Sequence, residues 1–502
     1  MFGNLQRDFY NSAMENTKAE GSRFPHKLNI KRTMLIGFAF FGILLLWQVY
    51  DSYCSRMLSE MFAKALNGLP KDAIPTKEQQ EGVQYIVGCV MALDNLAALI
   101  MLPIFGRLSD KTHTRIGKRM PYILIGTFVS AIAFPFIPLM FYWNNLAGMI
   151  AMIAIVIFFM MMYRNPAVSL MPDITPKPLR SKANGIINVM GYMGGAVAIV
   201  LGMFFSLTKF LGYSKYYADG NAIVEATAKM GNIWVIELPF LIASVIMIIS
   251  CIVLFCTIKE NQLEVEMRGQ MEEGEKYAEV ADTVTEDAPM TKSNKRMLIL
   301  ILVAEVFWFM ASNGVSTFQT NYFTIYLGKE FSMSIIVTLV SGVCSVVGFL
   351  TAGLIADKIG RKWTLMTGLF GGVLSYVLFA MLPLYSSSTT LATAMLIVIW
   401  AINGYSFSLI HTNSFPMVVE LCPSKKIGQF TGFYYAASML AQTVTPVALG
   451  LLIAQLPIGF KVLPYYALAM MVISCIVFFF VENVKGKKTS TKKGLEALGD
   501  DD

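Results

Sequence analysis

Four ionisable residues stand inside long apolar runs: Asp51 in "LLLWQVYDSYC", Asp94 in "MALDNLAAL", Arg164 at the end of "FFMMMYR" and Glu305 in "LVAEVFWF". His411, late in another run, is a weaker fifth. A charge at the centre of a hydrocarbon layer costs at least ~2.5–3.5 kcal/mol, so such a residue faces a cavity or a partner. A carboxylate that is neutral in one state and charged in another can bind and release a cation. Burial favours its neutral form and a neighbouring cation its charged form. Asp51 or Asp94 with Arg164 makes such a switch if their helices converge, and Glu305 is a further candidate. The plainer alternatives are a structural ion pair or, for Asp51, an acid near water if its helix ends early.

A second group of residues suits a polyhydroxylated ligand, which needs flat faces for its C–H groups and amides for its hydroxyls. Trp47, Gln48, Tyr50, Asn95, Trp308, Asn313, Gln319, Asn321, Asn403, Tyr405 and His411 offer these, mostly within or beside apolar runs. Buried polar groups without a partner are costly, so several are expected to line a wet cavity. For any one of them, hydrogen bonding between helices serves as well.

The elements that must position these residues are helices. The chain has 502 residues, 55% hydrophobic and only 15% charged, against about 25% charged in soluble domains. Apolar runs of roughly twenty residues recur, the length that crosses a hydrocarbon core of about 30 Å. Helices are required there because lipid offers no partner to free backbone groups. About twelve spans are expected, the first at 33–54 and the last at 462–482. The expected organisation is an N-terminal segment at 1–32, a six-helix bundle at 33–257, a linker at 258–296, a second six-helix bundle at 297–482 and a tail at 483–502. The fold class is an all-α membrane protein in two pseudo-repeated halves.

The N-terminal segment is polar and does not read as a cleaved signal peptide. Seven cysteines form no CxxC pair, so neither a disulfide framework nor a zinc site is supported. The net charge of +7 sits beside the spans, where it sets orientation rather than binding nucleic acid. Loops after even spans are rich in Lys and Arg, which places both termini in the cytoplasm of a cell-membrane protein. In the loop after the first span, Arg56, Lys64, Lys71 and Lys77 are offset by Glu60, Asp72, Glu78 and Glu81. The linker is rich in Glu, Asp and Lys and reads as a solvated, partly disordered connector, with an amphipathic helix possible in its first half. No nucleotide-binding lysine loop, HExxH or GxSxG is present, so an enzyme is not expected.

"GRLSD" at 106–110 matches "GLIAD" at 353–357, an offset of 247. At the same offset Asp173 faces Glu420 and Gly185 faces Gly432. Two motif pairs at one offset describe two six-helix halves built on one plan. "GLIADKIGRK" resembles the signature loop of the major facilitator superfamily. "GRLSDKTHTRIGKR" resembles the longer form in sucrose:proton symporters and the related glycoside–pentoside–hexuronide:cation symporters. "RNPAVSLMPDITPKPLRSKANG" (164–185) resembles the segment after the fourth span of the sucrose branch, on Pro166, Asp173, Ala183 and Asn184.

The resemblance covers about 30–482 and implies a secondary transporter moving a sugar or glycoside by alternating access, driven by a co-transported proton. It implies a monomer in the bilayer that uses no other cofactor. It also implies gating roles at the membrane edge for Asp110, Arg119, Asp357 and Arg361, to which the repeat adds Asp173 and Glu420. The chain departs from the sucrose branch at Ile157, where an acid is usual, and at Val168, where an arginine is usual. The branch's coupling residues therefore do not carry over, and Asp51 or Asp94 takes their place. Sodium remains open, since Asp94 is similar to the acids in the second span of melibiose-type carriers. Export of another small molecule is a further alternative. A non-transporting sensor would leave the paired gate loops without a purpose.

Overall fold

The computed structural model describes residues 26–71, 73–211, 232–283, 292–385, 389–421 and 427–482. Twelve helices there are long and apolar enough to cross a membrane. In chain order these are α1 (Ile30–Leu66), α2 (Gln84–Lys111), α3 (Met120–Ala133, continued by Phe136–Tyr142), α4 (Leu146–Asp173), α5 (Arg180–Phe204) and α6 (Trp234–Thr257). After a linker helix, Glu260–Thr283, come α7 (Lys292–Asn321, with a wider turn at Tyr322–Tyr326), α8 (Phe331–Ile359), α9 (Arg361–Ala380), α10 (Thr389–Glu420), α11 (Ile427–Gln455) and α12 (Val462–Phe479).

Two differences from the sequence reading matter for the site. Helix α1 does not stop near residue 54 but runs to Leu66, 37 residues in all, or about 55 Å at 1.5 Å per residue. Asp51 therefore lies well inside a helix. Arg56 and Glu60, expected as loop charges, are fully buried within the same helix. The linker also differs, because its helix extends to Thr283 rather than leaving most of the segment a solvated connector.

Each half packs its own six helices, and the halves meet through α1 with α7, α2 with α11 and α5 with α8. The α2–α11 crossing depends on two glycines. A Cβ at Gly88 would run into the Pro446 carbonyl, and one at Gly450 into the Gln84 carbonyl. Small residues let backbones approach this closely, as van der Waals packing between membrane helices requires.

Both glycine contacts belong to one end of the molecule, opposite the face that carries the described chain ends at His26 and Glu482. At this opposite face the halves are bonded together. Ser55 of α1 donates to the Thr317 carbonyl of α7 at 3.1 Å. Asn321 donates to Ser55 Oγ at 3.2 Å and to Gln84 Oε1 at 3.1 Å. Two N-half side chains also cap C-half backbone. Glu81 accepts from Phe460 N at 3.0 Å, and Thr208 Oγ1 accepts from Phe331 N, at the start of α8, at 3.1 Å.

Behind this seam lies a buried ionic chain. Arg56 Nη1 meets Glu60 at 3.2 Å and Gln80 Oε1 at 3.0 Å, and Lys64 meets Glu60 at 3.1 Å. At the other end, which we call the terminal face, side-chain bonds of the described residues run within each half and from the first half to the linker helix. The bonds that join the halves are thus found at the opposite face.

Replacing Gly88 or Gly450 by valine overpacks the α2–α11 crossing, at about 1–3 kcal/mol. That cost falls on the sealed state alone, so its population should drop about 5- to 150-fold against the alternative. A cysteine at Thr317, in a background cleared of native cysteines, should become more reactive to a membrane-impermeant thiol reagent in Gly88→Val. Unchanged reactivity would show that the crossing does not hold the seam.

Candidate functional site

Three helices of the first half bring the ionisable candidates together. Asp51 comes from the middle of α1, Asp94 from the middle of α2 and Arg164 from α4. Asp94 lies within electrostatic range of both Asp51 and Arg164, yet neither acid forms a salt bridge with the arginine. Asp94 Oδ1 instead accepts from the backbone N–H of Asn95 at 2.6 Å and from its side-chain amide at 2.9 Å. Asp51 is exposed and Asp94 and Arg164 are part-exposed, although all three sit mid-helix. Each therefore keeps part of its surface free of protein contact within the span. Two carboxylates against one guanidinium leave this wall one negative charge in excess when both acids are ionised.

The aromatic and amide candidates separate into two groups. Gln48, Trp47, Asn95, Asn313 and His411 are part-exposed. Trp47 stands edge-on to Tyr50, with ring centroids 5.6 Å apart. His411 stacks on Phe309 at 5.4 Å and on Phe407 at 5.9 Å. The rest are buried or bonded to neighbouring helices, Asn403 and Tyr405 while part-exposed. Trp308 and Tyr50 are fully buried. Gln319 bonds to Ser334 O, Thr338 and Trp400, each at 2.9 Å. Asn321 belongs to the seam at the opposite face. Asn403 donates to Ser375 at 3.2 Å, and the Tyr405 hydroxyl meets Thr351 at 3.1 Å. A polar residue in an apolar run satisfies its hydrogen bonds by either route, and these have taken the helix–helix one. Glu305 stands apart from the Asp51 cluster, fully buried on α7.

At the terminal face the charged loop 106–119 closes around one side chain. Arg119 Nε donates to Asp173 Oδ2 at 2.9 Å, and its other nitrogens reach Asp110 and Ser109 Oγ. Lys118 joins Asp173 at 3.3 Å. Asp110 closes α2, Arg119 precedes α3 and Asp173 ends α4, so one guanidinium ties three helices. Burial works against its charge, but Asp173 and then Asp110 outweigh burial and hold its pKa above the ordinary value.

Sequence reasoning missed Glu260. This first residue of the linker helix accepts from the backbone N–H of Lys118 at 3.1 Å, of Arg119 at 3.0 Å and of Met120 at 3.1 Å. It caps the free N–H groups at the start of α3, where a negative charge also meets the positive end of the helix. Burial pushes its carboxyl up from the ordinary range, and those three backbone donors pull against the shift. Gly117 makes room with φ +119°, and a Cβ there would strike the carboxylate. Asn261 adds bonds to the carbonyls of Thr114 and Arg115, at 3.0 and 3.1 Å. The available signal was weak: an acid opening a helix directly after α6.

In the second half Asp357 is exposed and has no ion pair among the described residues. Arg361 opens α9 and is half-buried, while the Glu420 side chain lies outside the described residues.

Removing Glu260 should cost about 1 kcal/mol, the usual worth of an N-cap. Removing Arg119 should cost about 2 kcal/mol or more, since it breaks hydrogen bonds to charged partners. Thermal unfolding in detergent should therefore rank wild type above Glu260→Ala and Glu260→Ala above Arg119→Ala. An unfolding temperature for Glu260→Ala equal to wild type would refute the capping role.

Comparison with known proteins agrees with this architecture. The Major Facilitator Superfamily family model matches residues 76–354 and 306–499. No curated protein matches the chain by sequence. Among solved structures the chain is similar to the inward-open xylose transporter XylE from E. coli, at 15% identity and a TM-score of 0.61, covering 93% of this chain and 99% of that one. It is similar to a D-xylose–proton symporter at 15% identity and TM-score 0.61, covering 91% and 99%. A bacterial homologue of the human lysosomal transporter Spinster matches at 14% identity and TM-score 0.59, covering 90% and 96%. With its two six-helix halves and its charged loop, the chain belongs to the major facilitator superfamily and is a multi-pass membrane transporter, not an enzyme.

Proposed function

We propose that this transporter is a cation-coupled symporter of a sugar or glycoside, with the proton as the coupling ion. The observation that carries the reading is the convergence of Asp51, Asp94 and Arg164, exposed or part-exposed in mid-span, while hydrogen bonds join the halves at the opposite face. A carrier working by alternating access needs a mid-span site between halves that are closed at one face at a time. An acid that trades a proton for the attraction of a nearby arginine couples protonation to the state of the helices. Gln48, Asn95 and Asn313 supply hydroxyl partners, and Trp47 and His411 supply flat faces. The transporters for xylose among the similar structures support the sugar class.

Basic residues concentrate at the terminal face, so both termini are cytoplasmic and the described state faces inward. The protein works as a monomer in the plasma membrane. The excess negative charge in the cluster also suits a sodium ion, which keeps sodium-coupled sugar symport as the second reading.

The test is uptake of a panel of labelled mono- and disaccharides into proteoliposomes under an imposed pH or sodium gradient. Uptake driven by the pH gradient alone is the expected result, and uptake driven only by sodium moves the proposal to the second reading. No gradient-driven uptake of any sugar would overturn it. Asp51→Asn and Asp94→Asn should keep substrate exchange while losing uphill uptake if each carries the coupled proton. Loss of both activities together would assign the residue to binding or folding instead.

A further inference from the structure

The coupling cluster lies wholly in the first half, yet a further intramembrane acid stands in the second. Glu305 on α7 is fully buried, and neither carboxylate oxygen has a hydrogen-bond partner. One turn along the helix, the indole N–H of Trp308 is also buried without a partner. Polar groups on the facing helices are committed elsewhere. Ser474 of α12 donates to the Ala304 carbonyl at 2.9 Å. Tyr434 of α11 shares a 2.8 Å hydrogen bond with Ser414 of α10.

Of the titratable groups on the helices packed around α7, Tyr434 is the one within electrostatic range of Glu305. His411 of α10 stacks on Phe309, and Asp51 and Tyr50 of α1 interact with the Asp94 cluster instead. No cation among the described residues compensates this carboxylate.

An ionised carboxylate in such a site would lose its hydration with nothing in return, so it takes up a proton. We propose that Glu305 is a second proton-binding site of this carrier, in the half opposite the Asp51 cluster and closed to water in the described state. The two sites differ in access: Asp51 is exposed while Glu305 is fully buried. A proton held at Glu305 exchanges with water when α7 shifts against α11 and α12. Helix α7 also carries half of the seam at the opposite face, through Thr317 and Asn321. Opening that seam moves the helix that bears Glu305.

The inference rests on the carrier reading for its transport arm only. Infrared difference spectra of purified wild type and Glu305→Gln at neutral pH should show a protonated-carboxyl carbonyl band that the variant lacks. In proteoliposomes, Glu305→Gln should move one proton fewer per substrate than wild type, and Glu305→Asp should restore the wild-type ratio. Glutamine is a near isostere of the neutral acid, so the variant should fold and unfold as wild type does. Absence of the band, or an unchanged proton-to-substrate ratio, would overturn the proposal. If wild type itself shows no gradient-driven uptake, the carrier reading fails and the band alone decides whether Glu305 holds a proton.

Discussion

The structure is organised by one constraint: inside hydrocarbon, a charge or an open backbone group must find its partner within the protein. The chain meets it in three ways. Arg119 is satisfied completely, by two acids and a serine, and fixes the ends of α2, α3 and α4 into one block. Arg56 is satisfied by Glu60 and Gln80 behind the opposite-face seam. Asp51, Asp94 and Arg164 are near one another but unbridged, and all three keep some exposure. A fully bonded network has one favoured arrangement, whereas an unbridged one can take two. In the proposed symporter the coupling chemistry belongs where the partners are incomplete.

The two faces are held by different kinds of bond, which bears on how the molecule moves. At the opposite face the halves meet through neutral amides, hydroxyls and backbone groups, together with the carboxylates of Glu81, beside Phe460, and Glu330, beside Thr208. Such bonds exchange for water at a net cost of about 1 kcal/mol each. The ionic chain of Arg56, Glu60 and Lys64 lies entirely on α1 and can travel with it intact. Parting the halves there therefore separates no buried ion pair, which would cost several kcal/mol. At the terminal face the strong ionic contacts are likewise internal to the first half or reach only the linker helix. Each half is a rigid unit, and the seam between them is the weak joint.

Much of this was legible in the sequence. Apolar runs placed all twelve spans, and the offset between Gly106 and Gly353 divided them into halves. The intramembrane acids announced themselves because a charge in such a run has few explanations. What hydropathy could not supply was direction. Gln319 and Asn321 are the right residue types for a ligand cavity, yet α7 turns them toward α8, α10 and the α1–α2 seam. A span with no clear polar face gives little sign of which neighbour a given amide will meet. Arg56 and Glu60 were misplaced for a related reason: the apolar run ends before the helix does, and the helix continues because its charges pair four residues apart.

Glu260 shows how far a partner can lie from the residue it serves. It sits 140 residues after Met120, and its carboxylate completes the N-terminus of α3. Only the return of α6 to the same face brings the two together, so no local pattern around either residue contains the contact. The consequence is mechanical. The linker that joins the halves is not a slack tether, because its first turn is bonded to the loop whose arginine locks α2, α3 and α4. Its later residues rest on the α4–α5 turn, with Gly274 against Pro176 and Pro178. The linker helix therefore moves with the first half.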